Sequence, residues 1–400
     1  MRASAKLLLV LALGLAACAS RPEGNLLAVQ ARAPGASNVD MLVATTRSPI
    51  DEPRGVMFGG DRSIGLNYAD IAVSIPPDAV RKIGEIQWPA SQPGDPARDF
   101  VTLHAQRLAL KEARTAFDRR VAANAHHHVL IFVHGYNTRF EEAVYRFAQI
   151  THDSGANVVP LLFTWPSRGR ALAYFYDRES ANYSRDALEA VLQFLARDPK
   201  VSEVSILAHS LGNYVAVEAL RQMAIRDHGL PAKIKNIMLA SPDIDIDVFR
   251  REIAEIDQSR KPPSITLFVS QDDKALGLSK LIAGDEPRIG AVDPTRDPYK
   301  SILERAKVRV VDLTAFNADD PANHSEFASE DVVRSIGVRL AGGQIMSDGR
   351  QTLGETLGSI AINGTKAVGE AAADIATGSP QEVSAESANP AKGDAEPLVK

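Results

Sequence analysis

Three observations predict an α/β fold built on a mainly parallel sheet with helices on both faces. Short apolar runs alternate with segments of helical period across residues 128–337. Those runs are near-continuously apolar, as strands covered on both faces are. Of the 400 residues, 45% are hydrophobic and 24% charged, which supplies a large core. The first elements are strands at 39–44 and 71–75, followed by a Pro, Gly and Trp-rich stretch through about residue 100 that shows no period. A strand at 128–133, a helix at 140–150 and a strand at 158–163 come next. In the helix at 178–196, Leu188, Val191, Leu192 and Leu195 fall at i, i+3, i+4 and i+7, one buried face. A strand at 204–207 runs into a helix at 211–225, and a strand at 237–240 into a helix at 247–256. The strand at 265–269 precedes a long insertion, and a last strand at 308–313 leads to a helix near 326–337.

The ends read differently. Arg2 and Lys6 precede an apolar run over residues 7–17, and Cys18, the sole cysteine, follows it. The run is too short to cross a bilayer, which takes about 20 helical residues, but its basic flank suits a secretory signal. Leu15-Ala16-Ala17-Cys18 resembles the bacterial lipobox, which implies removal of residues 1–17 and lipid, palmitate included, on Cys18. A plain secretory signal with an incidental cysteine is the competing reading. Ala19 and Ser20, rather than Asp, follow the cysteine, so the analogy directs the chain to the outer membrane, facing the periplasm. Residues 18–37 read as a tether, 38–340 as one domain, and 341–400 as a low-complexity, largely disordered tail. In that tail Leu353, Leu357 and Ile360 have helical spacing, but Gly354, Gly358 and Gly364 oppose a helix.

Composition excludes several classes. Lys plus Arg total 45 against 50 Asp plus Glu, for a net charge of -5 with no basic run, so nucleic acid is not an expected partner. One thiol rules out an intramolecular disulfide and any CxxC metal site. His126, His127 and His128 alternate faces on a strand and cannot all converge on a metal. The run from Asp243 to Asp247 has calcium-loop spacing, yet Val248 stands where that loop needs Gly and Ala254 where it needs Glu. These aspartates read instead as caps for the following helix. Neither a metal nor an organic cofactor is expected.

Ala208-His209-Ser210-Leu211-Gly212 falls between an expected strand and an expected helix. Small residues two before and two after a serine permit the sharp turn that lifts its hydroxyl from the carboxyl edge of a sheet. The Leu211 amide, at the helix N-terminus, then faces a developing oxyanion. A serine hydroxyl needs a base, and in a sheet of this order the base follows the serine. Only His228 and His324 do so. His228 sits in a Gly-Pro turn directly beyond the helix, whereas His324 follows the last strand, where the base is delivered. The acid is assigned to Asp273, after the strand at 265–269, with Asp272 second and Asp243, after the preceding strand, third. His134-Gly135-Tyr136-Asn137 ends the strand at 128–133, and its glycine lets the Tyr136 amide act as the second oxyanion donor. Trp165, Tyr174, Phe175 and Tyr176 lie beyond another strand end. They read either as an acyl-binding wall or as packing for a long loop.

Together the lipobox, Val43-Ala44-Thr45-Thr46-Arg47, His134-Gly135-Tyr136-Asn137, Thr164-Trp165-Pro166-Ser167, Ala208-His209-Ser210-Leu211-Gly212-Asn213 and His324 resemble the bacterial α/β-hydrolases of the DUF900 family. The Trp-Pro-Ser block is the most family-specific of these. The resemblance implies an α/β-hydrolase fold over about residues 38–340 and an esterase- or lipase-like serine hydrolase acting on a small or lipid-like ester. Two other functions remain open: a lipid-anchored envelope protein that binds without turnover, and an acyltransferase using the same residues.

Overall fold

The central strands form where apolar residues run nearly without interruption. β4 (His128–Val133) and β5 (Val159–Thr164) are buried along their whole length, and β6 (Glu203–His209) along all but its last residue. The computed structural model describes residues 23–314 and 322–348. With β1 (Ser37–Pro49), β2 (Phe58–Ile75), β3 (Val101–Leu108), β7 (Ile234–Ala240), β8 (Ser264–Val269) and β9 (Arg309–Asp312), they build a sheet of order β3-β2-β1-β5-β4-β6-β7-β8-β9. The β1/β2 and β2/β3 pairs are antiparallel, and every pair from β1/β5 to β8/β9 is parallel. All parallel strands therefore end at one carboxyl edge, where loops can gather functional groups.

Side chains alternate across the sheet, and each face has its own core. On one face Ile131 and Ile206 pack with Phe117 of α1 (Leu110–Ala123), Leu188 of α3 (Tyr174–Arg197), Val215 of α4 (Leu211–Asp227) and Phe249 of α5 (Ile246–Asp257). On the other, Leu130, Phe132 and Leu207 pack with Phe147 of α2 (Phe140–Asp153) and Ile336 of α8 (Glu330–Asp348). The fold class is as the sequence indicates.

Several elements differ from the sequence reading. β3 and α1 escape it because both carry thin apolar patterns: β3 buries only Val101 and Thr102 and is otherwise exposed or half-buried, and α1 buries only Ala113, Ala116, Phe117 and Val121. The long insertion after β8 holds α6 (Lys274–Ile282) and α7 (Tyr299–Arg305). Part of the expected tether is packed, since Asn25 and Leu26 are buried and the Val29 amide donates to the Thr102 carbonyl at 2.8 Å. α8 runs past residue 340 to Asp348. The signal segment, Cys18 and the tail beyond 348 lie outside the described residues.

One buried acid makes stability pH-dependent. Glu141, in the first turn of α2, is almost wholly buried, and burial, reinforced by Glu142, pushes its carboxyl up to about 8. The folded chain thus keeps a proton that the unfolded chain sheds near the ordinary carboxyl value of 4.5, so stability falls as pH rises from there through the folded value. Glu141→Gln does not titrate. It should match the wild type in stability relative to its own acid limit near pH 4, then gain by more than about 1 kcal/mol by pH 8.5. Urea unfolding at the two pH values measures this, and parallel curves for the two proteins would rule it out.

Candidate active site

The turn from β6 into α4 sets the geometry. Ser210 is the N-cap of α4 at φ 52, ψ -126, a conformation that costs a non-glycine residue on the order of 1–3 kcal/mol. Local hydrogen bonds hold it there: the Ser210 amide donates to the Ala240 carbonyl at 2.9 Å, and Asn213 Nδ2 donates to both Ser210 O and Ala240 O. The flanking glycine is required by space. A Cβ on Gly212 would stand 2.3 Å from the His134 carbonyl oxygen and 2.6 Å from that of Val133. α4 therefore starts tight against the end of β4. A Cβ on Gly135 would in turn stand 2.8 Å from Ser210 Cβ, so the His134–Asn137 loop lies directly beside the serine.

His324 and Asp273 are brought together across the carboxyl edge. His324 Nδ1 lies 2.6 Å from Asp273 Oδ2, and Asp273 is 2% exposed. The other carboxylate oxygen accepts from the Leu276 amide at 2.9 Å, so Asp273 also caps α6. Two further ties fix the histidine's loop. His209 Nε2 donates to the His324 carbonyl at 3.0 Å, and the Lys274 amide donates to Ala322 O at 2.9 Å. Burial and the neighbouring His324 hold the His209 imidazole well below the usual histidine range, so it stays neutral. Below it, Ser270 Oγ donates to Glu326 Oε1 at 3.0 Å, joining the turn after β8 to the His324 loop.

The alternative acids have other surroundings, although the Asp243 amide donates to Ser210 O at 3.3 Å. Asp272 is exposed. Asp243 is buried and engaged by Tyr174 Oη at 2.9 Å, Ser279 Oγ at 2.6 Å and Arg288 Nε at 3.3 Å. Asp245 caps α5 by accepting from the Asp247 and Val248 amides, as the helix-cap reading of this run expects. His128 is buried against Ser205 Oγ at 2.8 Å, and His228 ends α4 in a left-handed conformation.

The Leu211 amide is the first of α4 and has no intrahelical acceptor. The Tyr136 loop is anchored by residues that sequence reasoning did not assign to the site. His134 is buried and stacked on Trp165, with ring centroids 5.0 Å apart. Its Nε2 accepts from the Trp165 amide at 3.2 Å while Nδ1 faces Gly135 O at 2.8 Å, which places the proton on Nδ1. Burial, and then Arg47, bring its pKa down to about 3, so the ring is neutral. Trp165 therefore packs the loop rather than walling an acyl site, whereas Tyr174 meets Tyr136 edge-to-face at 5.3 Å and Phe175 is 72% exposed. An apolar cavity of about 240 Å³ lies between α1 and α3, lined by Phe117, Leu161 and Phe194 among others, and none of Ser210, Asp273 or His324 borders it.

A family model described as an α/β-hydrolase of unknown function, DUF900, matches residues 109–342, more than half of the chain. The chain belongs to the DUF900 α/β-hydrolase family. That match spans α1 to most of α8 and includes the Ser210 turn and the Asp273–His324 pair. Among curated relatives, an uncharacterized protein of Nostoc sp. is 25% identical over 150 residues, which cover 30% of this DUF900 chain. The match spans only 39% of that relative's length. A structure from work on fungal esterases of Rhizomucor miehei is 12% identical, covering 85% of this chain and 91% of its own, with a TM-score of 0.34. A lipase-esterase related protein of Clostridium acetobutylicum is 10% identical over 56% of this chain and 95% of its own, at a TM-score of 0.26. The family match and the sheet order, not these loose superpositions, carry the fold.

Proposed function

We propose that this hydrolase-family protein cleaves carboxylic esters through an acyl-enzyme on Ser210. The observation that carries the reading is the pairing of a strained serine at a strand-to-helix turn with a histidine 2.6 Å from a buried carboxylate on the same sheet edge. In this reading Ser210 Oγ attacks the acyl carbonyl carbon as His324 Nε2 takes its proton. The imidazolium so formed is stabilised by Asp273 through Nδ1–H. The Leu211 and Tyr136 amides hold the tetrahedral oxyanion, and its collapse expels the alcohol, which takes the proton from His324. Water, deprotonated by the same histidine, then attacks the acyl carbon and releases the acid and free Ser210.

A lipid-like or otherwise apolar substrate is favoured by the rim. Leu172 and Phe175, beside Tyr174, are exposed, as are Leu278, Leu281 and Ile282 on α6, and Tyr174 Oη joins the two elements through Ser279 Oγ at 3.0 Å. Exposed apolar side chains grouped near a site suit an apolar acyl group. We further propose that Cys18 carries lipid and holds the enzyme at the envelope. Both proposals meet in one assay, hydrolysis of p-nitrophenyl butyrate by fractions of bacteria producing the full chain. Activity above that of a Ser210→Ala strain should sit in the membrane fraction and move out of it with Cys18→Ala. Equal activity in the wild-type and Ser210→Ala strains would overturn the esterase reading, and membrane-bound Cys18→Ala with an unchanged N-terminus would overturn the anchor.

A further inference from the structure

We propose that Arg47, Ser167 and Asp177 form a positioning clamp that fixes the Tyr136 amide as an oxyanion donor. This rests on the Ser210 reading above and gives a role to two motifs that reading leaves unused, the segment ending in Arg47 and the Trp-Pro-Ser block.

The clamp grips the backbone on the far side of Tyr136. Arg47 Nη2 donates to Thr138 O at 2.8 Å, Ser167 Oγ accepts from the Thr138 amide at 3.1 Å, and Asp177 Oδ2 accepts from the Asn137 amide at 3.3 Å. Asn137 is held at φ 55, so the peptide after Tyr136 is turned into the left-handed region and pinned there. On the near side, the His134 ring and Trp165 fix Gly135 and His134. Two held peptides flank Tyr136, and the direction of its N–H follows from them.

The three members are also tied to each other. Ser167 bridges the two charges, because its carbonyl accepts from Arg47 Nη1 at 2.9 Å and its hydroxyl donates to Asp177 Oδ2 at 2.5 Å. Arg47 and Asp177 are each no more than 1% exposed, and among the described residues Arg47 has no carboxylate within ion-pair distance. The guanidinium's remaining polar contacts are the Gly59 carbonyl at 3.0 Å and His134 Nε2 at 3.4 Å. Burying a guanidinium and a carboxylate without direct pairing is costly for stability, and well-packed apolar residues would serve a purely structural purpose as well or better. What the buried charges achieve here is charge-assisted hydrogen bonding to a loop that has no regular secondary structure to hold it. Burial lowers the Arg47 pKa to about 10, which leaves it charged at neutral pH.

Ser167→Ala and Asp177→Asn, which alter side chains by one atom or none in size, test the clamp in the full-length protein. The readouts are kcat and KM per titrated active site for an ester, and the inhibition constant of a boronic acid, which binds serine as a tetrahedral adduct. Loss of one oxyanion donor costs on the order of 10²-fold or more. A donor misdirected by loss of its support should cost about ten- to a hundredfold in kcat, with KM nearly constant and boronate affinity falling in parallel. A role confined to stability would lower the melting temperature while leaving both values per folded site unchanged. That outcome, in a wild type that does turn over, overturns the clamp alone. A wild type that neither turns over nor binds boronate overturns the Ser210 reading and the clamp with it.

Discussion

Ser210→Ala is expected to cut ester turnover on the order of 10⁶-fold, and His324→Ala to cost nearly as much, because nucleophile and base act as one unit. The double variant should lose little beyond either single one. Asp273→Asn is the more discriminating member of the series. Asparagine is as good an N-cap as aspartate, so the bond from the Leu276 amide to Oδ1 can persist and α6 should stay in place. What disappears is the charge opposite His324 Nδ1, 2.6 Å away, and with it the preferred tautomer and the stabilisation of the imidazolium. In the Ser-His-Asp template that change costs on the order of 10⁴-fold in kcat. Asp272→Asn, at an exposed position, should be silent. Asp243→Asn should weaken the contacts to Tyr174, Ser279 and Arg288, lowering stability while sparing turnover per folded molecule. Steady-state kinetics on the three Asn variants, each normalised to folded protein, decides among them. Collapse in Asp243→Asn with normal rates in Asp273→Asn would move the acid to the strand before.

Gly212→Ala should be severely damaging for a change of a single methyl group. The added Cβ would meet two carbonyl oxygens of the β4 end at 2.3 and 2.6 Å, and backbone cannot rotate aside as a side chain can. Either α4 withdraws from β4 or the His134 peptide shifts, and both routes separate the Leu211 amide from the Tyr136 loop. The expected cost is about 3 kcal/mol in stability, the upper range for overpacking, together with a turnover loss per folded molecule. Gly65→Ala is the matched control, because a Cβ there has nothing within 4 Å, and its effect should stay within about 0.5 kcal/mol. Equal melting temperatures for the two variants would show that the α4 start has more slack than the contacts indicate.

The parts of the chain that were legible in sequence are those where one physical signal dominates. β4 to β8 each hold a mostly apolar buried run, and α3 carries a full buried stripe. β3 and α1 were not legible because an edge strand and a mostly solvated helix carry little apolar pattern. The site divides in the same way. Ser210 and His324 could be chosen from spacing and chain order alone, and Asp273 from its place after a strand, since these rules are local. Arg47 and His209 act through partners 87 to 120 residues away, Arg47 touching His134, Thr138 and Ser167 and His209 touching His324, and Asp177 reaches Asn137 across 40 residues. Only the sheet order brings them together. The available signal was composition against context: an arginine shortly after the apolar run Met41 to Ala44, and an aspartate in the aromatic run at the start of a helix.

The most direct test of the Ser210 reading is the mass of the folded, full-length protein after reaction with a fluorophosphonate, followed by peptide mapping. An activated serine displaces fluoride and keeps the phosphonyl group, whereas an ordinary surface serine does not react. One phosphonyl adduct per chain on Ser210 is expected, slowed about a hundredfold or more in folded His324→Ala. No adduct on the folded protein, or an adduct at another residue with Ser210 unmodified, would contradict it.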